Sequence, residues 1–421
     1  MTSRLYYTDP YCRQFDAAVT TASLHDGRPA VVLDRTAFYP TSGGQPFDTG
    51  KLFWADEAGR AGQDSGERRG PYGSAVDVID TLDLDDDVIH VLSAPVDEGA
   101  AVRGEIDWGR RFDHMQQHTG QHILSAAFDR LFDNRTVSFH LGSETSTIDL
   151  AREMSWAEIA CAEREANGVI WDNREVAIRF VTSEHAAALP LRKESLRQGT
   201  LRLIEVKDFD LSACGGTHVS RTGAIGSVVV AAAEKFKGGT RITFACGNRA
   251  VRAFQSLRDA VGGSVRLLSV LPGELPAAIE RMQAETKDLR RTLKRFQEAL
   301  ASHEAARLIG VSEMGGPVLV MVEALDGWDA SGLKAMATHI TAQVTAVVAL
   351  FSRTSPYGVV IARSPGLPLD AAAVLHAVIE RFGGRGGGKA DLAQGGGFGG
   401  DLSEILATTR QLLENPPFSL S

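Results

Sequence analysis

Two pairs of candidate metal ligands, far apart in the chain, constrain its fold more than any other feature. His118 and His122 are four residues apart in a segment with helical spacing, so both side chains project from one face. Cys214 and His218 are also four residues apart, and the two glycines between them allow a tight turn that brings both side chains to one point. Each pair alone is a weak signal, but together they provide the nitrogen and sulfur ligands of a tetrahedral zinc site. We predict that these four residues bind one zinc ion per chain.

The composition is that of a multidomain globular protein. Its 421 residues are too many for one ordinary core, so two to four domains are expected. Hydrophobic residues make up 43% and charged residues 23%, which excludes wholesale disorder. The N-terminus lacks a signal-peptide core, and no apolar run is long enough to span a bilayer. We therefore predict a cytoplasmic protein without a membrane partner.

The charge and the cysteines narrow the choice of partners and compartment. The net charge of -9 argues against a general attraction of the whole surface to nucleic acid, although local basic clusters leave a basic face open. The four cysteines lie far apart in dissimilar contexts, which indicates free thiols rather than a disulfide framework. A reducing compartment keeps such a thiolate free to bind metal.

Changes of pattern along the chain predict an α+β protein of four segments. Short β-branched runs separated by turn residues predict a small β-barrel over residues 1–108. Residues 109–255 mix helical and strand patterns and contain both ligand pairs. Residues 256–308 carry a heptad seam, which indicates a helical hairpin or coiled coil, and a plain amphipathic helix is an equal alternative. Residues 309–421 alternate strands and helices, which predicts an α/β domain.

Several motifs together resemble a known family. HTGQH (residues 118–122), CGGTH (214–218) and TGAIG (222–226) resemble the editing domain of alanyl-tRNA synthetases and of its free-standing AlaX-type relatives. The segment TAFYPTSGGQPFDTG (36–50) resembles the glycine-rich loop of that family, with Ser42 where a third glycine is frequent. GGRGGGKADLAQGGG (383–397) resembles the DHHA1 domain that closes those synthetases. The resemblance covers nearly the whole chain, in the order of the family.

The resemblance implies a trans-editing hydrolase with zinc in its pocket and tRNA as its partner. The implied reaction is deacylation of mischarged Ser-tRNA(Ala), with Gly-tRNA(Ala) as a second candidate substrate. No GxxxxGK[ST] phosphate loop occurs, and no segment with room for an aminoacylation domain precedes the barrel. We therefore expect the long form of AlaX rather than a full synthetase, with residues 309–421 as the DHHA1-like domain.

The same motifs nominate residues of the substrate pocket. The candidates are Thr36, Gln45, Ser138, His140, Gly215, Gly216 and Thr217. Ser138 and His140 lie where the family contacts the amino-acid hydroxyl or the terminal adenosine, and His140 is either a general base or a structural histidine. Thr36 or Ser138 can supply a polar group that pairs with the hydroxyl of serine and is left unpaired by the methyl group of alanine. Gln45 either approaches the pocket or shapes a turn of the barrel.

The C-terminal glycines and the long helix are candidates for contacts with larger partners. Exposed amides of Gly386, Gly387 and Gly388, with the charge of Lys389, suit a tRNA phosphate, and a flexible loop is an equal alternative. A homodimer through the helical or DHHA1-like region is compatible with the heptad seam, and so is a monomer.

Other readings remain open from the sequence. A non-catalytic tRNA-binding protein with a structural zinc has the same motifs, because four protein ligands are typical of closed zinc sites. Editing of Ser-tRNA(Thr) is a further alternative, which the DHHA1-like segment disfavours. A phosphoesterase of the DHH type is disfavoured because the chain contains no Asp-His-His triplet.

Overall fold

The computed structural model describes residues 1–54, 74–84, 86–192, 199–312 and 316–414. These residues form two compact units, which divide the chain into Met1–Gly262 and Gly263–Ser421. Among the described residues, no helix combines the length and the apolar character that crossing a bilayer requires.

The first unit begins with a closed six-stranded barrel, as the short alternating strands predict. Its N-terminal strands are β1 (Ser3–Arg4), β2 (Gln14–His25), β3 (Arg28–Leu33), β4 (Arg35–Thr36), β5 (Gly50–Trp54), β6 (Ser74–Leu84), β7 (Asp87–Leu92) and β8 (Ala101–Ile106). The barrel closes in the order β2-β3-β7-β6-β5-β8, and the short strands β1 and β4 pair with each other beside it. Alternate residues such as Val76 and Val78 point inward and are buried, because successive side chains of a strand face opposite sides.

The second half of this unit is built around one buried helix. Its elements are α1 (Trp108–Phe132), β9 (Thr136–Leu141), β10 (Ser146–Leu150), α2 (Trp156–Trp171), β11 (Val176–Thr182), α3 (Ser183–Ala186), β12 (Thr200–Val206), β13 (Asp210–Ala213), β14 (Val228–Phe236) and β15 (Gly239–Cys246). Four strands form the sheet β14-β15-β10-β9, and three form the sheet β11-β12-β13. Asp107 caps α1 by accepting a hydrogen bond from the amide of Arg110. The apolar positions of α1, from Ile123 to Phe128, are completely buried in the core of this region.

A buried ion pair joins the glycine-rich segment that follows β4 to the first turn of α1. The guanidinium of Arg111 donates to the carboxylate of Asp48, and neither side chain is exposed. Arg111 also donates to the carbonyls of Pro10 and Ala37, and Asp48 accepts from the amide of Tyr39. Because removing one partner leaves the other as an uncompensated buried charge, this pair positions the segment firmly against α1.

The second unit has a mixed five-stranded sheet with helices on both faces. After α4 (Asn248–Leu268) the chain forms α5 (Leu275–Val311), β16 (Leu319–Leu325), α6 (Ala330–Gln343), β17 (Ala346–Ser352), β18 (Tyr357–Arg363), α7 (Ala371–Phe382), β19 (Arg385–Gly388), β20 (Leu392–Phe398) and α8 (Leu402–Glu414). The strand order is β16-β17-β18-β20-β19, and only β16 and β17 pair in parallel. One core lies between the sheet and helices α7 and α8, and the other between the sheet, α6 and the end of α5. The α/β prediction for this region is confirmed.

The heptad seam lies on α5, which is 37 residues long. Its last turns pack through Ala301, Ala305 and Leu308, all of which are buried. Further toward the N-terminus the seam is open, with Leu289 70% and Leu293 59% exposed. The coiled coil, the homodimer and the three segment boundaries at 108, 255 and 308 stay predictions.

The C-terminal glycines form a strand and not a loop, which corrects the flexible-loop alternative. Gly386, Gly387 and Gly388 lie in β19, where they pair with Gly395, Gln394 and Ala393 of β20. A side chain on Gly388 would overlap the backbone of β20, so the close approach of the two strands requires glycine. Because β19 is the edge of the sheet, one side of its backbone remains unpaired within this sheet.

Candidate functional site

The four predicted ligands converge in the first unit. His118 and His122 lie one turn apart on α1, and Cys214 and His218 lie in the segment that follows β13. One ligand atom from each residue lies within 4.8 Å of the others. The Cys214 sulfur is 3.4 Å from His118 Nε2 and 3.3 Å from His218 Nε2. Three imidazole nitrogens and one thiolate form a donor set that suits zinc, so the residues present fit this metal.

The second nitrogen of each histidine has its own partner, which determines the tautomer. His118 Nδ1 donates to Gln45 Oε1 at 2.8 Å. His122 Nδ1 donates to the carboxylate of Asp210 at 3.2 Å. His218 Nδ1 lies 3.2 Å from the hydroxyl oxygen of Thr119, whose hydrogen already points to the carbonyl of Met115.

All three rings therefore carry a hydrogen on Nδ1 and turn Nε2 toward the cluster. Partners of this kind orient metal ligands and raise their basicity. Gln45, Asp210 and Thr119 are such partners here, and each comes from a different element of the chain.

The electrostatics of the cluster favour a bound cation. Burial raises the pKa of the Cys214 thiol, but the charges of His118 and His218 outweigh burial and lower it well below its ordinary value. Burial lowers the pKa of His122, while the hydrogen bonds with Asp210 and Cys214 raise it to about 9. Burial and the charge of His118 lower the pKa of His218 to about 3. The site thus offers a thiolate and a neutral imidazole, and a metal ion would displace the proton of His122.

Asp210 is a functional residue that sequence reasoning missed. It is buried, and its carboxylate accepts hydrogen bonds from His122, from Arg192 at 2.6 Å and from the hydroxyl of Ser212. Burial raises the pKa of Asp210, but the hydrogen bond with His122 and the charge of Arg192 lower it overall. The carboxylate therefore stays ionised and fixes the orientation of His122. One signal was present, because Asp210 lies only four residues before Cys214.

The Asp210→Asn variant is expected to bind zinc about 10–100-fold more weakly, because it removes the charge that orients His122. The affinity can be measured by competition with a chromogenic chelator at constant pH. Asp149→Asn is the matched control, since Asp149 forms its ion pair with Arg241 outside the cluster. Equal zinc affinities of both variants and the native protein would contradict this role of Asp210.

A cavity of about 760 Å³ opens beside the cluster. Its lining includes His122 and Cys214, the start of β9, the start of β12, and side chains of the N-terminal segment such as Tyr7 and Tyr39. The cluster is therefore reachable from one side, and Cys214 is its only member that is not fully buried.

Three of the seven predicted pocket residues line this cavity, namely Ser138, Gly215 and Gly216. The Ser138 hydroxyl donates to Asp149, so its hydrogen is already engaged. Gln45 and Thr217 lie behind the cluster instead, where Gln45 Oε1 accepts from the Thr217 amide at 3.0 Å and its Nε2 donates to the Thr217 hydroxyl at 2.9 Å.

The lining of this cavity does not include Thr36 or His140, and the pocket roles of both stay predictions. Thr36 is completely buried in the barrel, where its hydroxyl lies 2.8 Å from Nε2 of the equally buried His90. A buried imidazole needs such a partner, and Thr36 provides it. His140 lies farther along β9, opposite Thr147, and is exposed outside the cavity.

Arg202 is the second residue that sequence reasoning missed. Its Nη1 donates to the carbonyls of Cys214 at 2.7 Å and Gly216 at 2.9 Å. Its Nε donates to the carbonyl of Tyr7 at 2.9 Å. Arg202 thus joins the N-terminal segment to the segment from Cys214 to His218, here called the metal segment. A single arginine in a strand carries no sequence signal of such a role, because all three partners are distant in the chain.

Two family models match the chain. The DHHA1 domain matches residues 316–415, and the threonyl and alanyl tRNA synthetase second additional domain matches residues 201–243. The second match begins in β12 and ends in β15. It contains Cys214 and His218 and therefore includes half of the metal cluster.

Full-length relatives extend the similarity to nearly the whole chain. The alanyl-tRNA editing protein AlaX-L of Pyrococcus horikoshii is 31% identical over 406 residues, which cover 94% of each chain. The alanine–tRNA ligase of Pyrococcus furiosus is 33% identical over 94% of this chain and 42% of the ligase. That of Natronomonas pharaonis is 33% identical over 98% of this chain and 44% of the ligase. The chain thus spans less than half of these two ligases but matches nearly the whole length of the editing protein, and it belongs to the AlaX-L family of alanyl-tRNA editing proteins.

Proposed function

We propose that this protein is a zinc-dependent aminoacyl-tRNA deacylase that hydrolyses Ser-tRNA(Ala), with Gly-tRNA(Ala) as a second substrate. The observation that carries the proposal is the His3Cys cluster, which opens through Cys214 onto a cavity of about 760 Å³. The relative named as an alanyl-tRNA editing protein, similar over 94% of both chains, supports the substrate class.

The four ligands His118, His122, Cys214 and His218 would bind the metal, and Gln45, Asp210 and Thr119 would orient the three imidazoles. Zinc supplies a Lewis acid that polarises an ester carbonyl or activates a water molecule. The protein supplies the positioning, since ester hydrolysis requires a water and a carbonyl carbon in a defined geometry.

The cavity suits the aminoacylated end of a tRNA. Its volume falls within the range of about 300–1,000 Å³ that is usual for small-molecule sites. Tyr7, Phe139 and Phe180 line it and offer faces on which an unpaired base can stack. Arg192 and Arg202 lie on the same lining and add positive charge near the phosphates of the acceptor end.

Contacts with the rest of the tRNA and with a second subunit belong to the same proposal. The unpaired edge of β19, from Gly386 to Gly388, and the charge of Lys389 would contact the phosphate backbone. The exposed seam of α5 would pair two copies of the chain as a homodimer.

A binding protein with a structural zinc is the second candidate function. The closed set of four protein ligands favours it, because catalytic zinc sites usually keep one coordination position for water or substrate. Editing of Ser-tRNA(Thr) is a third, weaker candidate, since one matching model covers both threonyl and alanyl synthetases, whereas the DHHA1 match favours the alanyl system.

The test is the hydrolysis of Ser-tRNA(Ala), Ala-tRNA(Ala) and Ser-tRNA(Thr) by the native, zinc-loaded protein. We expect rapid loss of serine from tRNA(Ala) and roughly a hundredfold slower loss of alanine, because discrimination requires a group that pairs with the serine hydroxyl. Binding of tRNA without hydrolysis of any ester would establish the binding protein with a structural zinc. Faster hydrolysis of Ser-tRNA(Thr) than of Ser-tRNA(Ala) would identify Ser-tRNA(Thr) as the substrate instead.

A further inference from the structure

Two side chains of the cavity lining, Gln121 and Arg202, have a buried polar atom without a hydrogen-bond partner among the described residues, and only that of Gln121 is an acceptor. Gln121 lies on α1 directly before His122, lines the cavity and is only 3% exposed. Its Nε2 donates to the hydroxyl oxygen of Ser125 at 2.8 Å. Its Oε1 is buried and has no hydrogen-bond partner among the described residues.

Another glutamine of the same helix shows what a structural amide does here. Gln117 lies one turn earlier and is completely buried. Its Nε2 donates to the carbonyl of Cys246 at 3.0 Å, and its Oε1 accepts from the amide of the same residue at 2.8 Å. Both ends of this amide are satisfied, which is the usual state of buried polar groups. The free end of Gln121 therefore requires a different explanation, namely a partner that arrives with the ligand.

The neighbours of Gln121 determine which end of the amide remains free. The hydroxyl oxygen of Ser125 accepts both from Gln121 Nε2 and from the hydroxyl of Thr136, which is 2.7 Å away and lines the cavity as well. With the NH2 end on Ser125, the carbonyl end is the one without a partner among the described residues and is available to a ligand. The terminal torsion of a glutamine is soft, and a small rotation brings Oε1 to a donor in the cavity.

The charges around the cavity select a neutral donor. The described lining contains three arginines, Arg4, Arg192 and Arg202, but only one carboxylate, Asp83, whose charge is paired with Arg4. Arg192 is likewise paired, with Asp210, so no carboxylate of the described lining is left unpaired to offset an ammonium group at Gln121 Oε1. A hydroxyl group donates one hydrogen bond without adding positive charge. The side-chain hydroxyl of serine is such a donor, and alanine and glycine lack it.

We infer that Gln121 Oε1 accepts the side-chain hydroxyl of a bound seryl ester and is the specificity-determining group of the site. This inference rests on the proposed deacylase function. With serine bound, the buried acceptor is paired. With alanine bound, a methyl group takes the place of the hydroxyl and Oε1 stays unpaired, which opposes binding in the transition state.

The test measures single-turnover hydrolysis of Ser-, Gly- and Ala-tRNA(Ala) by native protein, Gln121→Met and Gln117→Met. Methionine retains the approximate volume of glutamine but cannot accept this hydrogen bond. We expect Gln121→Met to lower the rate on serine at least about tenfold and to leave the rates on glycine and alanine unchanged or raised, because these substrates no longer leave a buried acceptor unpaired. Gln117→Met is the control for the loss of a buried amide, and it should change all three rates by one common factor.

A second variant separates the acceptor from the fold. Gln121→Glu retains an acceptor oxygen, and its ratio of serine to glycine hydrolysis should stay within about threefold of the native ratio. If Gln121→Met does not fold, as judged by circular dichroism and zinc content, the serine-to-glycine ratio of Gln121→Glu alone tests the inference. A common loss on all three substrates in Gln121→Met, or loss of the serine preference in Gln121→Glu, would overturn the inference.

Failure of this inference is distinguishable from failure of the proposed function. If the native protein clears serine and Gln121→Met retains the native serine-to-glycine ratio, only the role of Gln121 is wrong. If the native protein hydrolyses none of the three esters, the deacylase proposal fails and the inference fails with it.

Discussion

Replacement of Cys214 by alanine is expected to abolish stoichiometric zinc binding and to slow hydrolysis of Ser-tRNA(Ala) by about a hundredfold to a thousandfold. The sulfur lies within 3.4 Å of two imidazole nitrogens, and it is the only thiolate of the cluster. Three histidines then remain, without the anionic ligand that offsets the charge of the metal. Zinc content measured by mass spectrometry and deacylation measured at matched zinc concentration check the two parts separately.

Cys161→Ala is the matched control, since this cysteine is also partly buried but lies on α2, outside the cluster. It should retain native zinc content and native rates. Loss of zinc in Cys214→Ala with an unchanged rate on serine would show that the metal is structural. Native zinc content in Cys214→Ala would contradict the assignment of the ligand.

Gly216→Ala is expected to disrupt the cluster although it changes none of the four ligands. A methyl group on Gly216 would overlap the imidazole of His118 and lie 2.9 Å from Gln45 Oε1. His118 or the metal segment must then move, and a displacement of about 1 Å in a catalytic site costs roughly a hundredfold in rate. We expect zinc affinity to fall at least about tenfold together with this loss of activity.

Gly215→Ala is the matched control for zinc binding and folding. The nearest atoms to a methyl group on Gly215 belong to Tyr7 and are 4.0 Å away, so the added carbon meets no resistance. This variant should bind zinc like the native protein. If both alanine variants retain native zinc affinity, the close approach of Gly216 to His118 does not matter for the site.

Local regularities of the sequence predict a large part of this structure. The spacing of four residues that places His118 and His122 on one face is a property of any α-helix, and the same holds for the apolar positions of α1. Alternating strand patterns predict the barrel, and the heptad seam predicts α5. The paired glycines of the Cys214 segment predict a turn for the same local reason, since glycine tolerates close backbone approach.

Pocket residues were harder to predict, because a short motif does not say which side of a strand faces the cavity. Thr36 has a hydroxyl and lies near the glycine-rich segment, yet the barrel orients it toward His90. His140 belongs to β9 like Ser138, yet only Ser138 lines the cavity. Motif position alone therefore led to a strand and a segment that line the cavity but did not distinguish the side chains that face it.

Residue types and spacings by themselves predicted the candidate ligand pairs, the secondary-structure classes and the family of this protein, since each depends on short motifs or on neighbours within one or two helical turns. Only the tertiary structure decided which groups surround the cluster. Gln45 contacts His118, Asp210 contacts His122, and Arg202 contacts Cys214, and each contact joins different elements of the fold. The free acceptor of Gln121 is likewise visible only once every possible partner has a position. Hydrogen bonds between distant segments leave no periodic trace in a sequence, because any polar residue of suitable length can form them once the fold brings it into reach.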